Sequence, residues 1–469
     1  MLKMILKFSV SSMVNLVLGF LSALILTRAF EPETYGIINI FNETVLIGLS
    51  ILYLGCDSSF IRFYNEPPER DTNKELGTKL LMICISVTIV AGLVVSLFMS
   101  KWFTNTIFGF ESQVICIMVF ISIFAQMILR FLNIKYRMDF NTKAFTIQAI
   151  LTQFCFKSLV IIAAILSLPI VLTISFNTLG ILVLAIVYLI IQRNSFFSFR
   201  NSFKFESYSP VFLFAMFSAP LTICVNMNSF VSQQMIAHIM DVSMVGIYSA
   251  TGVFAGILAA LQGGFSTFWS AYMYKNYQDE QQTIKRVNEY LLMAIIVVYG
   301  LLILFKDVIY IVIGPEYQSS KEFFSLTLAY PVFMLAAETT SYGIGIKKKT
   351  YLSLVCFFTA VIINGILAFI LIPIIGLKGA ALASMISGLC LYILRSIIGQ
   401  RLYESIGSFR ITVISVLFIA TMAVIPAFTS GIVTIICVIC IIITTMMMNY
   451  KATLFLLNKC KEVVFHKEK

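Results

Sequence analysis

The sequence predicts an all-α polytopic membrane protein with about fourteen transmembrane helices, and two observations lead to this fold class. Of the 469 residues, 59% are hydrophobic and 12% are charged, against about 25% charged residues in a soluble domain. Apolar stretches of about 20 residues, each long enough to cross a hydrocarbon core of roughly 30 Å as a helix, recur along the whole chain. A water-soluble fold is therefore excluded.

The expected spans lie between charged, proline or glycine breaks. They are near residues 8–27, 36–56, 77–100, 113–134, 144–167, 169–191, 210–238, 245–270, 289–313, 322–346, 351–373, 376–394, 411–428 and 430–449. Most of the 33 lysines and arginines fall in alternate loops, which the positive-inside rule assigns to the cytoplasm. The outside loops hold only Arg28, Lys101, Lys306, Lys321 and Lys378. We therefore expect a multi-pass protein of the bacterial cytoplasmic (inner) membrane with both termini cytoplasmic.

An internal repeat aligns residues 27–37 with residues 237–247. In both copies an acidic residue, Glu31 or Asp241, precedes a glycine, and a new apolar span follows. Repeated halves of this kind pack as two bundles around a substrate path. We expect an N-terminal six-helix lobe with a basic linker (1–208), a C-terminal six-helix lobe (209–408), and an extra helix pair with a basic cytoplasmic tail (409–469).

Lys157 is the clearest candidate for a functional side chain. It lies about ten residues, or roughly 15 Å, from Ser167, which places it near the middle of the bilayer. Gln153 shares its face one turn earlier, and Gln148 and Thr152 lie nearby, so the fifth helix has a polar side. A charge at this depth costs about 2.5 to 3.5 kcal/mol on insertion scales. Lys157 therefore either lines a wet cavity that binds phosphate, or snorkels or pairs with a buried carboxylate.

Each of the other charged candidates also has a functional and a structural interpretation. Glu43 in span two and Glu338 in span ten are either proton or sodium sites or counter-ions of Lys157. The remaining charged candidates are Asp57, a third candidate for ion coupling, and the cavity candidates Arg28, Arg62 and Arg130. All four lie near span ends, where anchoring at the membrane interface is the favoured interpretation.

A polar stripe runs along span seven. It consists of Ser218, Thr222, Asn226, Ser229 and Gln233, whose helical spacing places them on one face. The stripe either faces a hydrophilic lumen, which its length favours, or hydrogen-bonds a neighbouring helix. Gly252 and Gly256 form a GxxxG pair that predicts close helix packing.

Enzyme activity is not expected, because the sequence contains no Ser/His/Asp grouping in a supporting context and no glycine loop that could hold phosphate. The ten cysteines lie mostly inside apolar runs, where we expect them to act as small packing residues, and neither a metal nor a cofactor is expected. The basic residues lie in short loops between spans, and we expect no nucleic-acid partner.

Four short segments resemble the polysaccharide and O-antigen flippases of the multidrug/oligosaccharidyl-lipid/polysaccharide exporter superfamily. They are RAFEPETYG (28–36), VGIYS (245–249), IGPEY (313–317) and GLKGAALA (376–383), and they lie in the family's order relative to the spans. The resemblance covers nearly the whole chain.

This resemblance implies two six-helix lobes around a V-shaped cationic cavity, alternating access, and an undecaprenyl-pyrophosphate-linked oligosaccharide as substrate. It also implies contact with membrane lipids and with polysaccharide polymerase or assembly proteins. Several relatives line the cavity with arginines in the first helix of each lobe. Here span one has only Arg28, at its end, and span seven has none, so we expect Lys157 to supply the charge. In related fourteen-helix flippases the last helix pair helps to form a groove for the lipid tail; bundle packing is the alternative here.

Two rival functions are weighed against the flippase. A multidrug or cation antiporter of the multidrug and toxin extrusion type would need acidic rather than basic cavity residues. A membrane glycosyltransferase or polysaccharide polymerase would need a sizeable outside loop or an acidic catalytic motif, and every outside loop here is short.

Overall fold

The structure, a computed structural model, describes residues 18–69, 71–198, 205–347, 349–404, 408–429 and 431–448. Within those ranges the regular structure is helical. Eleven helices are long and apolar enough to cross a membrane, or up to twelve if a bent pair counts as one span. The predicted all-α polytopic fold is confirmed, while the count of fourteen spans stays a prediction.

In the first half of the chain, eight helices precede the basic linker among the residues that the structure describes. They are α1 (Leu18–Ala29), α2 (Pro32–Leu52), α3 (Cys56–Phe63), α4 (Asn73–Phe98), α5 (Ser100–Phe108), α6 (Gln113–Met138), α7 (Thr142–Ile165) and α8 (Ile170–Phe196). The starts of α2 and α4 are explained by the residues at their first turns. A proline stands at the first turn of α2, and Thr72 forms a capping box with Glu75 at the start of α4.

The second half continues in the same way. Its elements are α9 (Phe205–Ile239), α10 (Val242–Asn276), α11 (Gln281–Leu304), α12 (Lys306–Ile311), a 3-10 helix (Pro315–Glu322), α13 (Phe324–Thr340), α14 (Tyr342–Ile346), α15 (Thr350–Ile375), α16 (Leu377–Leu402), α17 (Phe409–Phe428) and α18 (Ile432–Met448). The 3-10 helix and α13 meet at an angle of 62° and together form the bent pair. The short apolar helices α1 and α18 coincide with the first and last expected spans; residues 8–17 of the first lie outside the described residues.

The chain divides into two compact units. The first runs to Val253 and includes Gly314–Tyr317, and the second comprises Phe254–Ile313 and the chain from Gln318 onward. In the second unit α17 and α18 pack on α11, and Ser325 Oγ on α13 donates a hydrogen bond to the carbonyl oxygen of Ala423 on α17 (2.7 Å). The lobe boundaries expected at residues 208 and 408 stay a prediction.

Within the first unit, the two copies of the repeated segment contact each other reciprocally. A Cβ at Gly36 would lie 2.1 Å from the carbonyl oxygen of Val242, and a Cβ at Gly246 would lie 1.9 Å from the carbonyl oxygen of Pro32. Because Pro32 aligns with Val242 and Gly36 with Gly246, each copy presents the same two positions to the other. Two equivalent segments facing each other across a two-fold axis make contacts of this kind. Only glycine permits so close an approach of two helix backbones.

The IGPEY segment packs against the same region of the first unit. The Tyr317 hydroxyl donates a hydrogen bond to the carbonyl oxygen of Phe30 (2.8 Å), and its ring contacts the Tyr35 ring edge-on with centroids 5.7 Å apart. A Cβ at Gly314 would lie 1.9 Å from the carbonyl oxygen of Thr27. Three of the four segments that carry the family resemblance therefore meet in one place.

At other helix ends of the first unit, two clusters of lysine, aspartate and tyrosine join neighbouring helices. Lys79 Nζ lies 2.7 Å from Asp71 Oδ2 and 5.3 Å from the ring centroid of Tyr208, whose hydroxyl donates to Asp71 (2.5 Å). The second cluster repeats this arrangement with Lys135, Asp139 and Tyr64. Burial, followed by the nearby Asp139, raises the pKa of Tyr64 above its ordinary value. In the first cluster, the contact of Lys79 with the Tyr208 ring joins the start of α9 to α4.

Candidate functional site

Helix α9 packs along α2 and α3 in the first unit, and glycine sets how closely they approach. Gly55 lies between α2 and α3 with φ +74°, and a Cβ there would lie 2.2 Å from the carbonyl oxygen of Ala215 on α9. Both the left-handed backbone and the lack of space require glycine at this position. Nearby, Ser59 Oγ on α3 donates a hydrogen bond to the carbonyl oxygen of Val211 (3.0 Å). We call the contact of α9 with α2 and α3 the α2–α9 seam.

Polar side chains of the stripe on α9 lie in this seam. Ser229 Oγ donates to Glu43 Oε1 (3.0 Å), and Asn226 Nδ2 donates to Ser50 Oγ (2.8 Å). Gln233, one turn beyond Ser229, is 6% exposed, and its Oε1 is buried without a hydrogen-bond partner among the described residues. The second oxygen of Glu43, Oε2, is also buried and accepts no hydrogen bond from the part of the chain that the structure describes. In this structure the stripe therefore hydrogen-bonds a neighbouring helix, while its role in substrate binding stays a prediction.

Lys157 is half-buried on α7, about 12 Å from the end of the helix at Ile165. Its Nζ lies 5.6 Å from the centroid of the neighbouring Phe156 ring. Among the described residues, no carboxylate oxygen lies within 4.0 Å of Lys157 Nζ. Glu43, the carboxylate proposed from sequence as a partner in the same unit, is bonded to Ser229 instead. Lys157 is thus an intramembrane cation without a carboxylate in reach in the part of the chain that the structure describes.

The polar side expected on α7 is only partly present. Gln148 is buried against α6, where its Nε2 donates to the carbonyl oxygen of Leu129 (3.1 Å) and its Oε1 accepts from Asn133 Nδ2 (3.2 Å). Nine residues separate it from Lys157, which is about 180° around a helix. The expectation that Gln148 shares the Lys157 side was therefore wrong. Gln153 lies on the same side of α7 as Lys157 and is half-buried.

The charged candidates near helix ends are placed by short-range contacts. Arg130 Nη2 on α6 lies 3.6 Å from Asp57 Oδ2 on α3, so two of the predicted residues come together as an ion pair. Arg62 pairs with Glu66 one turn away, on an exposed surface (3.0 Å). Arg28 is exposed at the end of α1. These positions agree with anchoring, and a contribution to substrate binding stays a prediction.

In the second unit, Glu338 lies on α13 and is 6% exposed. Its Oε1 accepts a hydrogen bond from Gln262 Nε2 on α10 (3.0 Å). As with Glu43, a neutral side chain is the hydrogen-bond donor. In the described chain, no lysine or arginine nitrogen lies within 4.0 Å of this carboxylate.

Sequence reasoning missed Arg395. Span twelve was expected to end at residue 394, which places Arg395 in a cytoplasmic loop, but α16 continues to Leu402. Arg395 therefore lies inside the helix, half-buried, and its Nη2 donates a hydrogen bond to Ser341 Oγ (3.0 Å). The available clue was the apolar pair Ile397 and Ile398, which follows Arg395 in the sequence.

Comparison with known protein families shows which family the chain belongs to. Residues 1–274, more than half of its length, match the family described as polysaccharide biosynthesis protein. The chain belongs to the polysaccharide biosynthesis protein family. This membership confirms the family resemblance, and the segments at 28–36 and 245–249 lie inside the matched range. No curated protein sequence gives a significant match.

Solved structures share the fold of this family member. A structure of the lipid II flippase MurJ in an inward closed conformation is 15% identical and superposes with a TM-score of 0.71 over 95% of this chain and 99% of that one. An inward-facing multidrug resistance MATE family transporter of the MOP superfamily is 14% identical, with a TM-score of 0.60 over 86% and 98% of the two chains. A MATE structure in a bent conformation is 13% identical, with a TM-score of 0.53 over 89% and 97%. At these identities the likeness shows the fold alone.

Proposed function

We propose that this protein is a flippase that moves a polyprenyl-pyrophosphate-linked oligosaccharide from the cytoplasmic to the outer leaflet of a bacterial inner membrane. The glycan would be a repeat unit of O-antigen, capsule or exopolysaccharide. Membership of the polysaccharide biosynthesis family and a fold shared with a lipid II flippase support the proposal. The observation that carries it is Lys157, an intramembrane cation without a described carboxylate partner.

In the proposed cycle, the sugar head travels through a polar pathway by alternating access while the isoprenoid tail stays in lipid. A pyrophosphate loses hydration when it leaves the membrane surface, and a cation inside the membrane offsets part of that cost. Lys157 has the charge for this role. The protein would move its substrate without breaking or forming a covalent bond in it, which is why we do not assign it an enzymatic activity.

A cation antiporter is the second candidate, because Glu43 and Glu338 are acidic side chains inside membrane helices with neutral hydrogen-bond partners. An antiporter would move a cationic dye across vesicles in exchange for protons or sodium. Dye efflux that depends on either glutamate, together with normal glycan export when both are substituted, would favour the antiporter.

The test of the flippase is glycan export in cells. We expect Lys157→Ala to abolish export at unchanged protein level and membrane insertion, and Lys157→Arg to retain part of it because the positive charge survives. Lys143→Ala is the matched control, since Lys143 lies on the same helix but is exposed near its start. Full export by Lys157→Ala would overturn the assignment of Lys157.

The proposed orientation has its own test. Reporter fusions after Gln192 and after Lys451 should both report a cytoplasmic location, because the basic loops are expected on that side. A periplasmic location at either position would contradict the span model.

A further inference from the structure

Arg395 lies on the side of α16 that packs into the second unit. Ile393 and Ile397 are 41% and 45% exposed, while Leu391, Tyr392 and Gly399 are buried. At 100° per residue, Arg395 falls between Leu391 and Gly399 and roughly 160° from each of the two exposed isoleucines. Its side chain contacts α15 as well as the end of α13, since its Cζ lies 5.4 Å from the Phe357 ring centroid.

The packing of Arg395 between helices makes its charge costly. Seven residues, or about 10 Å, separate it from the end of α16 at Leu402. A guanidinium packed between helices is normally paired with a carboxylate or held in contact with water. Among the described residues, no carboxylate oxygen lies within 4.0 Å of Arg395, and Glu338, one turn before Ser341, is bonded to Gln262.

Arg395 also has hydrogen-bonding capacity that the described contacts do not use. Nη2 donates to Ser341 Oγ, but Nε is buried without a partner among the described residues. The residue as a whole is half-buried, so part of Arg395 remains accessible. The carbonyl end of α13, at Thr340, favours a positive charge but supplies no full counter-charge.

The backbone around Arg395 is fixed. A Cβ at Gly343 would lie 1.9 Å from the carbonyl oxygen of Gly399, and a Cβ at Gly399 would lie 2.2 Å from the carbonyl oxygen of Thr340. One turn before Gly399, the Ser396 and Thr340 hydroxyls are 2.6 Å apart. The crossing of α16 with the junction of α13 and α14 therefore holds Arg395 in place, as a pre-organised binding group requires.

We propose that Arg395 and Ser341 form an anion site in the second unit that binds a phosphate group. A planar guanidinium with free N–H donors suits the oxygens of a phosphate or pyrophosphate. The phosphate could belong to a membrane lipid, to a lipid-linked glycan or to a free polyphosphate. This site is distinct from Lys157, which lies in the first unit, and it does not require the proposed flippase activity.

The experiment measures thermal unfolding of the purified full-length protein in neutral detergent. It is titrated separately with inorganic pyrophosphate, a short-chain polyprenyl pyrophosphate and phosphatidylglycerol at constant ionic strength. We expect at least one probe to raise the unfolding temperature, and Arg395→Gln to weaken its apparent affinity by about tenfold or more. Arg401→Gln, an exposed arginine on the same helix, is the control and should bind as the wild type does.

A second variant protects the test against misfolding of Arg395→Gln. Ser341→Asp, a smaller change than Ser341→Glu at this 6% exposed position, places a carboxylate beside the guanidinium, so the charge is neutralised inside the protein while Arg395 remains. We expect this variant to unfold no earlier than the wild type and to lose the response to the probe. A full response from either variant would overturn the site, as would a wild type that responds to none of the three probes.

The three probes also identify the source of the phosphate. A response to phosphatidylglycerol alone assigns the site to a membrane lipid, and a response to the two pyrophosphates assigns it to a pyrophosphate group. If the binding depends on Arg395 but the protein fails in the export assay, only the proposed flippase function is overturned.

Discussion

Lys157 and Arg395 are both cations inside membrane helices, and their surroundings differ. Lys157 contacts the ring of its sequence neighbour Phe156, while Arg395 contacts side chains of two other elements, Ser341 and Phe357. Lys157 therefore has a flexible stem and a local neighbour, whereas Arg395 is held by tertiary contacts. The proposed roles differ accordingly: Lys157, with its local contact, is proposed to meet a travelling substrate, and Arg395, with its tertiary contacts, is proposed to hold a resident anion.

The two buried carboxylates show a related contrast. Glu43 and Glu338 each accept a hydrogen bond from a neutral side chain, Ser229 or Gln262. Of the two, Glu43 also has a buried oxygen without a partner in the described part of the chain. A carboxylate oxygen in that state is stabilised when a proton or cation binds it. Glu43 is thus the better candidate for ion coupling.

The largest expected effect is on glycan export, and it tests whether Lys157 serves only to neutralise Glu43. Lys157→Ala should abolish export, and adding Glu43→Gln should not restore it, because Glu43 is bonded to Ser229 rather than to Lys157. The measurement is glycan export in cells at matched protein levels. Restored export in the double variant would show instead that the two charges compensate each other.

The next effect concerns stability and compares close glycine contacts in both units. Gly36→Ala in the first unit and Gly343→Ala in the second would each place a Cβ about 2 Å from a backbone oxygen. We expect each to lower the free energy of unfolding by about 1 to 3 kcal/mol or more, since backbones must move apart. Thermal unfolding of the purified variants measures the loss. Gly252→Ala, which meets no described atom within 4 Å, is the control, and equal stability of all three variants would contradict these contacts.

A smaller effect, on the ion dependence of transport, should distinguish Glu43 from Glu338. We expect Glu43→Gln to change the pH or sodium dependence of transport several-fold, because it removes the oxygen that a proton or cation would bind. Glu338→Gln should change this dependence less. Transport measured across a pH series and a sodium series gives the comparison. Unchanged ion dependence in both variants, with normal folding, would assign both residues to structure.

The smallest effect comes from a charge that is already paired at the surface. Arg62→Gln breaks an exposed ion pair with Glu66, whose side chains are 52% and 69% exposed. Such pairs contribute about 0 to 1 kcal/mol. Unfolding temperature and export should both stay close to the wild type. A large loss of export at normal stability would instead place Arg62 on the substrate pathway.

The sequence alone was sufficient for the fold class and for most helix positions. Apolar runs bounded by charges placed α4, α6 and α15 within a few residues of their observed ends, because a span must exceed a fixed hydrophobic length whatever its neighbours are. The same reasoning located Lys157 and the glutamates, since charges stand out in an apolar run. It failed for Arg395 because the end of a span is poorly defined where polar residues lie just inside it.

Only the tertiary structure decided which polar residues meet. The GxxxG pair at Gly252 and Gly256 predicted close packing, yet a Cβ at either position would meet no described atom within 4 Å. The close contacts lie instead at Gly36 and Gly246, which the repeat had marked without indicating that they touch. Periodicity identifies the face of a helix on which a residue lies. Which helix covers that face depends on long-range packing, and for this reason the partners of Glu43, Gln148 and Arg395 required the structure.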